Sequence, residues 1–302
     1  MSFACELLLS ALVLTTNQSG PEVSWSAPKS FYDGVPYIVR IEVTAPKVTT
    51  PFAAWLLSPS AFTIDNVPLV PREDATTLTL PPGARLAMEF DLSNFISDAK
   101  SFEQKDFKLA YAKEYIEKKG IDVTYWQQAE DELDFMTIEE ERLDDYNVVF
   151  ITNRGNLHLE FWPDVAPNHV RNFLDLSYTK FYQGSTFHRV MPGFMIQGGD
   201  PDGTGGGKGP RTLPLEPSDR LHVAGVLSMA REDAEDSASC QFFIMHGAGP
   251  HLDGKYTAFG RLIYGSEVVD RIATTRTKAN TTRPQMEQVI EKVLVLRARQ
   301  GN

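Results

Sequence analysis

Cysteine is nearly absent: Cys5 and Cys240 are the only two in 302 residues, too few for a disulfide framework. The strand-like run Gln241-Phe242-Phe243 beside Cys240 makes it a small buried apolar residue. No stretch approaches the ~20 apolar residues of a membrane-crossing helix, so no membrane insertion is expected. Basic charge is not in excess either. The formal net charge is −11, carried by residues 1–146 with 12 basic against 24 acidic side chains, whereas residues 147–302 hold 17 against 16. Such acidity excludes nucleic acid and anionic membrane as partners of the first half, because phosphate contacts need clustered Lys and Arg. Histidine is missing from the first half, and none of the six later ones has zinc-ligand spacing with a Cys or carboxylate.

What is present fits a soluble protein of about two domains, with 42% hydrophobic and 23% charged residues. Residues 7–14, Leu-Leu-Leu-Ser-Ala-Leu-Val-Leu, have the length of a signal-peptide core. Against that stand Glu6, the lack of any Lys or Arg before Lys29, and no Ala-x-Ala in 15–20. Two expectations stay open: residues 1–20 are a removable export signal of a periplasmic protein, or a buried element of a cytoplasmic one. Residues 21–99 read as all-β. Tyr37, Val39, Ile41 and Val43 alternate with Arg40 and Glu42, and Pro81-Pro82-Gly83 marks a turn. This predicts a small immunoglobulin-like β-sandwich with Trp25 and Trp55 in its core. Residues 100–146 read as an acidic helical connector. Phe107, Ala110, Tyr111 and Tyr115 fall on one helical face before Gly120, and Leu133, Phe135, Met136, Ile138 and Leu143 punctuate an acidic, solvated stretch. The second domain, residues 147–302, opens with a hairpin around Asn153-Arg154-Gly155. Helices are predicted over 167–176 and 267–272 and a closing strand over 289–297.

Residues 187–200 read Phe-His-Arg-Val-Met-Pro-Gly-Phe-Met-Ile-Gln-Gly-Gly-Asp, one cation and one amide among apolar residues around a Pro192-Gly193 turn. With Gln241-Phe242-Phe243-Ile244 and with residues 252–260, Leu-Asp-Gly-Lys-Tyr-Thr-Ala-Phe-Gly, this run resembles the cyclophilin family of peptidyl-prolyl cis-trans isomerases. The resemblance covers about residues 147–299. It implies a closed eight-stranded antiparallel barrel with a helix over each end, proline-containing polypeptides as substrates and no cofactor; the oligomeric state stays open, with a monomer expected. Arg189, Gln197 and Phe194 are implied as catalytic. Phe187, His188, Met195, Ala230, Arg231, Gln241, Phe243, His251, Leu252 and Tyr256 are implied as substrate-binding. Three positions depart from the best-known members: His251 stands where those carry Trp, Tyr256 where they carry His, and Arg231 where Asn is usual. The loss of that Trp puts tight cyclosporin binding in doubt.

The chemistry asks little of a protein. Rotation about a peptide C–N bond meets a barrier of ~18–20 kcal/mol because amide resonance must break. In the twisted state the proline nitrogen regains a lone pair, and a fixed donor aimed at it binds that state better than either planar one. An arginine's rigid, permanently charged fork suits that role. Simple alternation puts Arg189, Met195 and Gln197 on one strand face and leaves Phe194 on the other, next to the turn. The alternative function is a binding or chaperone module that captures proline-containing segments without turnover. Residues 203–209, Gly-Thr-Gly-Gly-Gly-Lys-Gly, look like a phosphate loop but fail in detail. Gly209 follows Lys208 where Ser or Thr is needed, and Asp202 stands at the first glycine position. Ser228 and Ser239 lack any nucleophile-elbow context.

Overall fold

The computed structural model describes residues 21–71, 76–99, 105–112 and 120–298. The expected signal segment and Cys5 lie outside the described residues, as do 113–119 of the expected connector helix. The chain divides into two compact units, residues 1–127 with 298–302, and residues 128–297.

In the first unit, β1 (Glu22–Ser26), β3 (Ile38–Thr44) and β8 (Arg85–Asp91) form an antiparallel sheet with β3 central. Along β3, Val39, Ile41 and Val43 are buried while Arg40 and Glu42 are exposed, the period of a strand with one wet face. A second sheet runs β10 (Ile121–Gln128), β9 (Phe107–Tyr111), β5 (Phe62–Ile64), β6 (Val67–Pro68), with β2 (Ser30–Tyr32) joined parallel to β10. The hairpin β4 (Thr50–Ala53) with β7 (Thr77–Leu80) and the short helix α1 (Ser93–Ser97) complete the unit. Trp25 and Trp55 are buried in one core with Phe31, Phe62, Tyr111 and Tyr125, Trp25 meeting Phe62 edge-on at 5.8 Å.

Two expectations are corrected here. Among the described residues the connector is not a helix: Phe107, Leu109 and Tyr111 are buried on strand β9, as a period of two requires. A short run containing F-x-L-x-Y fits both periods, and pairing with β5 and β10 decides for the strand. The unit therefore ends at 127 rather than 99, and the immunoglobulin-like sandwich expected within 21–99 is not found. The acidic stretch also belongs elsewhere. Residues 129–139 are irregular, a 3-10 turn covers Glu140–Asp145, and Phe135 and Leu143 are wholly buried in the second unit's core. Arg171 donates to the carbonyls of Phe135 and Ile138, fixing that segment.

The second unit contains β11 (Tyr146–Thr152), β12 (Gly155–Phe161), β13 (Arg189–Met191), β14 (Met195–Gly198), β15 (Val226–Met229), β16 (Phe242–Met245), β17 (Ala258–Tyr264) and β18 (Ile290–Ala298). They are ordered β13-β14-β16-β15-β17-β12-β11-β18, all antiparallel. The expected closed barrel is not found in the ladder of named strands. β13 and β18 do not pair, and the chain just before each meets at an isolated bridge between Thr186 and Val289. Helix α2 (Pro167–Tyr178) starts with proline at its first position, where no N–H is needed. It drives Phe173 into a cluster of Phe150, Phe161, Tyr182, Phe242 and Phe259, with ring centroids 5.0 to 5.9 Å away. Helix α3 (Ser266–Ala273) buries Val268, Val269, Ile272 and Ala273. It begins after Gly265, whose φ of +100° and contact with the Asn156 carbonyl exclude a Cβ.

His158 on β12 is 6% exposed and packs on Tyr264, and burial pushes its pKa down to about 3. The folded protein therefore refuses a proton that the unfolded chain accepts near 6.5. Stability held at neutral pH is lost as pH falls below that value, by about 2 kcal/mol between pH 7 and 5. Urea unfolding across that range should show this slope, and His158→Phe should flatten it by a similar amount.

Candidate active site

The site is built on the β13–β14 hairpin. Gly193 at its tip has φ +77°, and its N–H donates to His246 Nδ1 at 2.8 Å. The carbonyl of Phe194 in turn accepts the N–H groups of His246 at 2.8 Å and Gly247 at 3.1 Å. The turn is thus pinned to the end of β16. This pinning, rather than strand alternation, places the Phe194 ring, which lies 5.3 Å from His251.

Across the hairpin Arg189 faces Gln197. Gln241 Nε2 donates to the carbonyls of Gly205 at 3.1 Å and Gly207 at 2.9 Å, which uses both of its hydrogens. Its Oε1 is left to accept from Gln197 Nε2 at 3.0 Å. Gln197 Oε1 then accepts from Arg189 Nη1 at 3.0 Å. The orientation of each amide follows from the one before it. Arg189 Nη2 points to the Met191 sulfur at 3.3 Å, and no ion pair forms at this half-buried guanidinium among the described residues.

Beside the cation lies an apolar floor. Met195, Phe243 and Leu252 are buried, at 1%, 5% and 7% exposure, and Phe194, Ala230 and Tyr256 pack on them half-buried. Tyr256 meets Phe243 edge-on at 6.0 Å. Arg231 lies 4.9 Å over the Tyr256 ring and donates to the carbonyls of Glu232, Asp233 and Lys255. Its side chain therefore braces its own loop and the Tyr256 ring. The structure brings together Arg189, Phe194, Met195, Gln197, Ala230, Phe243, His251, Leu252 and Tyr256, with Gln241 behind them. Phe187 is a correction: it is wholly buried in the main core against Phe242, away from the floor. It precedes β13 and is taken into the core with Phe242 instead of lining the floor.

The glycine-rich loop wraps a carboxylate of its own. Burial alone would raise the Asp200 carboxyl, but the N–H groups of Gly205, Asp202 and Gly207 hold it below the usual carboxylate range. Those amides are the ones a phosphate loop would offer, so the nucleotide reading fails on structure as well as spacing. Cys240 is buried and free, and burial pushes its thiol up to about 11.

Sequence reasoning missed one hydrogen-bonded chain. His222 Nδ1 lies 2.9 Å from Asp253, and Nε2 lies 2.9 Å from Ser228 Oγ. It resembles a nucleophilic triad but is not one. Ser228 is wholly buried, with Oγ also 2.9 Å from the Thr257 carbonyl, and burial lowers the His222 pKa. The His222 ring stacks on Phe243 at 6.1 Å, so the chain stiffens the apolar floor. Positions this far apart in sequence carry no spacing signal that could have revealed it.

Residues 147–295 match the family model described as cyclophilin type peptidyl-prolyl cis-trans isomerase/CLD. The chain is 51% identical over 110 residues to a peptidyl-prolyl cis-trans isomerase of Synechococcus elongatus, covering 36% of this chain and 75% of that protein. It is 41% identical over 154 residues to the peptidyl-prolyl cis-trans isomerase-like 2 of Cryptococcus neoformans, covering 48% of this chain and only 26% of that one. Among solved structures it is similar to a cyclophilin-type isomerase of Cryptosporidium parvum, crystallised in the presence of the dipeptide Ala-Pro. The identity there is 32%, with 51% of this chain and 99% of that one covered and a TM-score of 0.48.

Gln241→Leu should free Gln197 to rotate away from Arg189 while keeping the strand's packing. Losing one charge-linked hydrogen bond of ~1–2 kcal/mol should cut kcat/KM for an Xaa-Pro peptide about five- to thirtyfold. Thermal unfolding should stay near wild type, and unchanged turnover would show that the amide chain does not position the cation.

Proposed function

The chain belongs to the cyclophilin-type family of peptidyl-prolyl cis-trans isomerases, and we propose that Arg189, Gln197 and Phe194 carry its rotation of Xaa-Pro bonds in polypeptides. Uncatalysed, such bonds interconvert in roughly 10–100 s, slow enough to limit folding, so their acceleration assists folding chains. The observation that carries the proposal is Arg189: a guanidinium without a carboxylate partner among the described residues, oriented by Gln197, at the edge of the Phe243 floor.

The proline ring sits on Met195, Phe243 and Leu252, with Phe194, His251, Tyr256 and Ala230 around it. Gln197 keeps one amide hydrogen and one oxygen lone pair free of the Arg189–Gln241 chain, one donor and one acceptor for the substrate backbone. The Arg189 fork donates to the proline nitrogen as it loses amide resonance. Planar substrate offers no such lone pair, so the contact strengthens only on the way to the twisted state. Lowering the barrier by about 7 kcal/mol gives on the order of 10⁵ in rate. No bond is made or broken.

Arg189→Ala should lower kcat/KM by on the order of 10²-fold or more, as for loss of a charge-stabilising donor. Circular dichroism should show an unchanged fold, and near-normal turnover in an exchange assay on a short Xaa-Pro peptide would sink the mechanism. Cyclosporin should inhibit weakly, because His251 offers a smaller, better hydrated ring than an indole. His251→Trp should tighten inhibition, and equal inhibition constants for the two proteins would remove His251 as the cause.

A further inference from the structure

A cavity of about 280 Å³ shares Arg189 and Gln197 with the proline site and is otherwise lined by His188, Thr204, Gly205, Thr281, Thr282 and Arg283. Three observations give it a chemistry. His188 is 8% exposed, and neither ring nitrogen has a hydrogen-bond partner among the described residues. Arg283 donates to the Gly203 carbonyl, and no ion pair forms at Arg283 or Arg189 among the described residues. The wall behind Arg283 is basic: residues 274–286 contain Arg276, Lys278 and Arg283 and no Asp or Glu. Its position is fixed, since the Thr282 carbonyl accepts the Val190 N–H of β13 at 2.8 Å.

The carboxylate whose charge reaches His188 is that of Asp200. Asp200 is wholly buried and accepts from the N–H groups of Asp202 and Gly205. His188 is held below its ordinary value by burial first, against the pull of Asp200 and with Arg283 and Arg189 adding to the lowering. A neutral imidazole keeps one N–H donor, and the Thr204 and Thr282 hydroxyls add others. Two guanidiniums without carboxylate partners bordering one concavity repel each other, and an anion between them turns that repulsion into attraction.

We infer that this cavity is a subsite for an anionic side chain, carboxylate or phosphate, carried by the substrate within about two residues of the Xaa-Pro bond. The inference rests on the isomerase reading, because Arg189 borders both the cavity and the proline site. A peptide advances ~3.3–3.6 Å per residue, and with Arg189 common to both sites a side chain one or two residues from the proline reaches the cavity.

The test uses the full chain and short Xaa-Pro peptides carrying Ala, Lys, Glu or phosphoserine at each flanking position. Turnover is read by exchange NMR and binding by calorimetry. At one flanking position the Glu or phosphoserine peptide should exceed the Ala peptide in kcat/KM by about five- to tenfold, the size of a partly buried charge-assisted contact. In Arg283→Ala that ratio should fall to about one, and in Arg283→Glu the Lys peptide should become the preferred one. Preference for both anions marks a general anion subsite, and preference for phosphoserine alone marks a phosphate subsite. Equal values for all peptides, or a ratio unchanged in Arg283→Ala, overturn the inference while leaving the isomerase reading intact. If no peptide turns over, that reading fails, and the calorimetric ratio still decides the subsite.

Discussion

Gln241 has two amide hydrogens, and both go to carbonyls of the glycine-rich loop. Everything about the charged edge of the site follows from that. With its hydrogens committed, Gln241 presents oxygen to Gln197, and Gln197 presents oxygen to Arg189. Reversing any one amide would place two donors or two acceptors face to face. A neutral chain of two amides thus holds a cation without cancelling its charge, as a carboxylate would. A guanidinium paired with Asp or Glu would be equally well placed, but its field would be largely neutralised where the reaction needs it.

The apolar side of the site depends on rigidity of another kind. Phe243 is stacked on His222, whose ring is held at both nitrogens, and beneath it the strands pack on the Phe173 cluster from α2. A floor made of such groups cannot collapse when empty, so little ordering remains to be done when a proline ring arrives. The residues that do the chemistry are few, and the burial that keeps them in place involves most of the second unit.

Much of this unit was legible because its information is local. The Pro192-Gly193 turn, the Asn153-Arg154-Gly155 turn between β11 and β12, and the proline that opens α2 are each decided within a few positions. Arg189 and Gln197 stood out because a cation and an amide inside apolar strands are costly without a purpose, whereas Phe243 came only with the resemblance to the family. The first unit was less legible. Phe107-Lys108-Leu109-Ala110-Tyr111 satisfies both helical and strand periods, and only pairing with distant strands chose between them. The same is true of the acidic stretch, where Phe135 and Leu143 find partners on α2 and β11 rather than on a helix of their own. Closure of the sheet is also a non-local property, and the alternation along single strands says nothing about it. The misplacement of Phe187 has a simpler cause: motif membership does not tell whether an apolar residue lines the site or fills the core behind it.

Asp200 lies inside the loop that its own neighbours form, and a Cβ on Gly207 would run into that carboxylate. The two positions are therefore one unit of inheritance. A side chain at 207 needs the carboxylate gone, and loss of the carboxylate strands the amides at 202 and 205 that a glycine-rich path was shaped to offer. Neither change is tolerable first. A lineage that drifts at one of them meets the other as a barrier. The loop's composition should accordingly persist even where its length does not, held in place by an anion it encloses rather than by any molecule it meets.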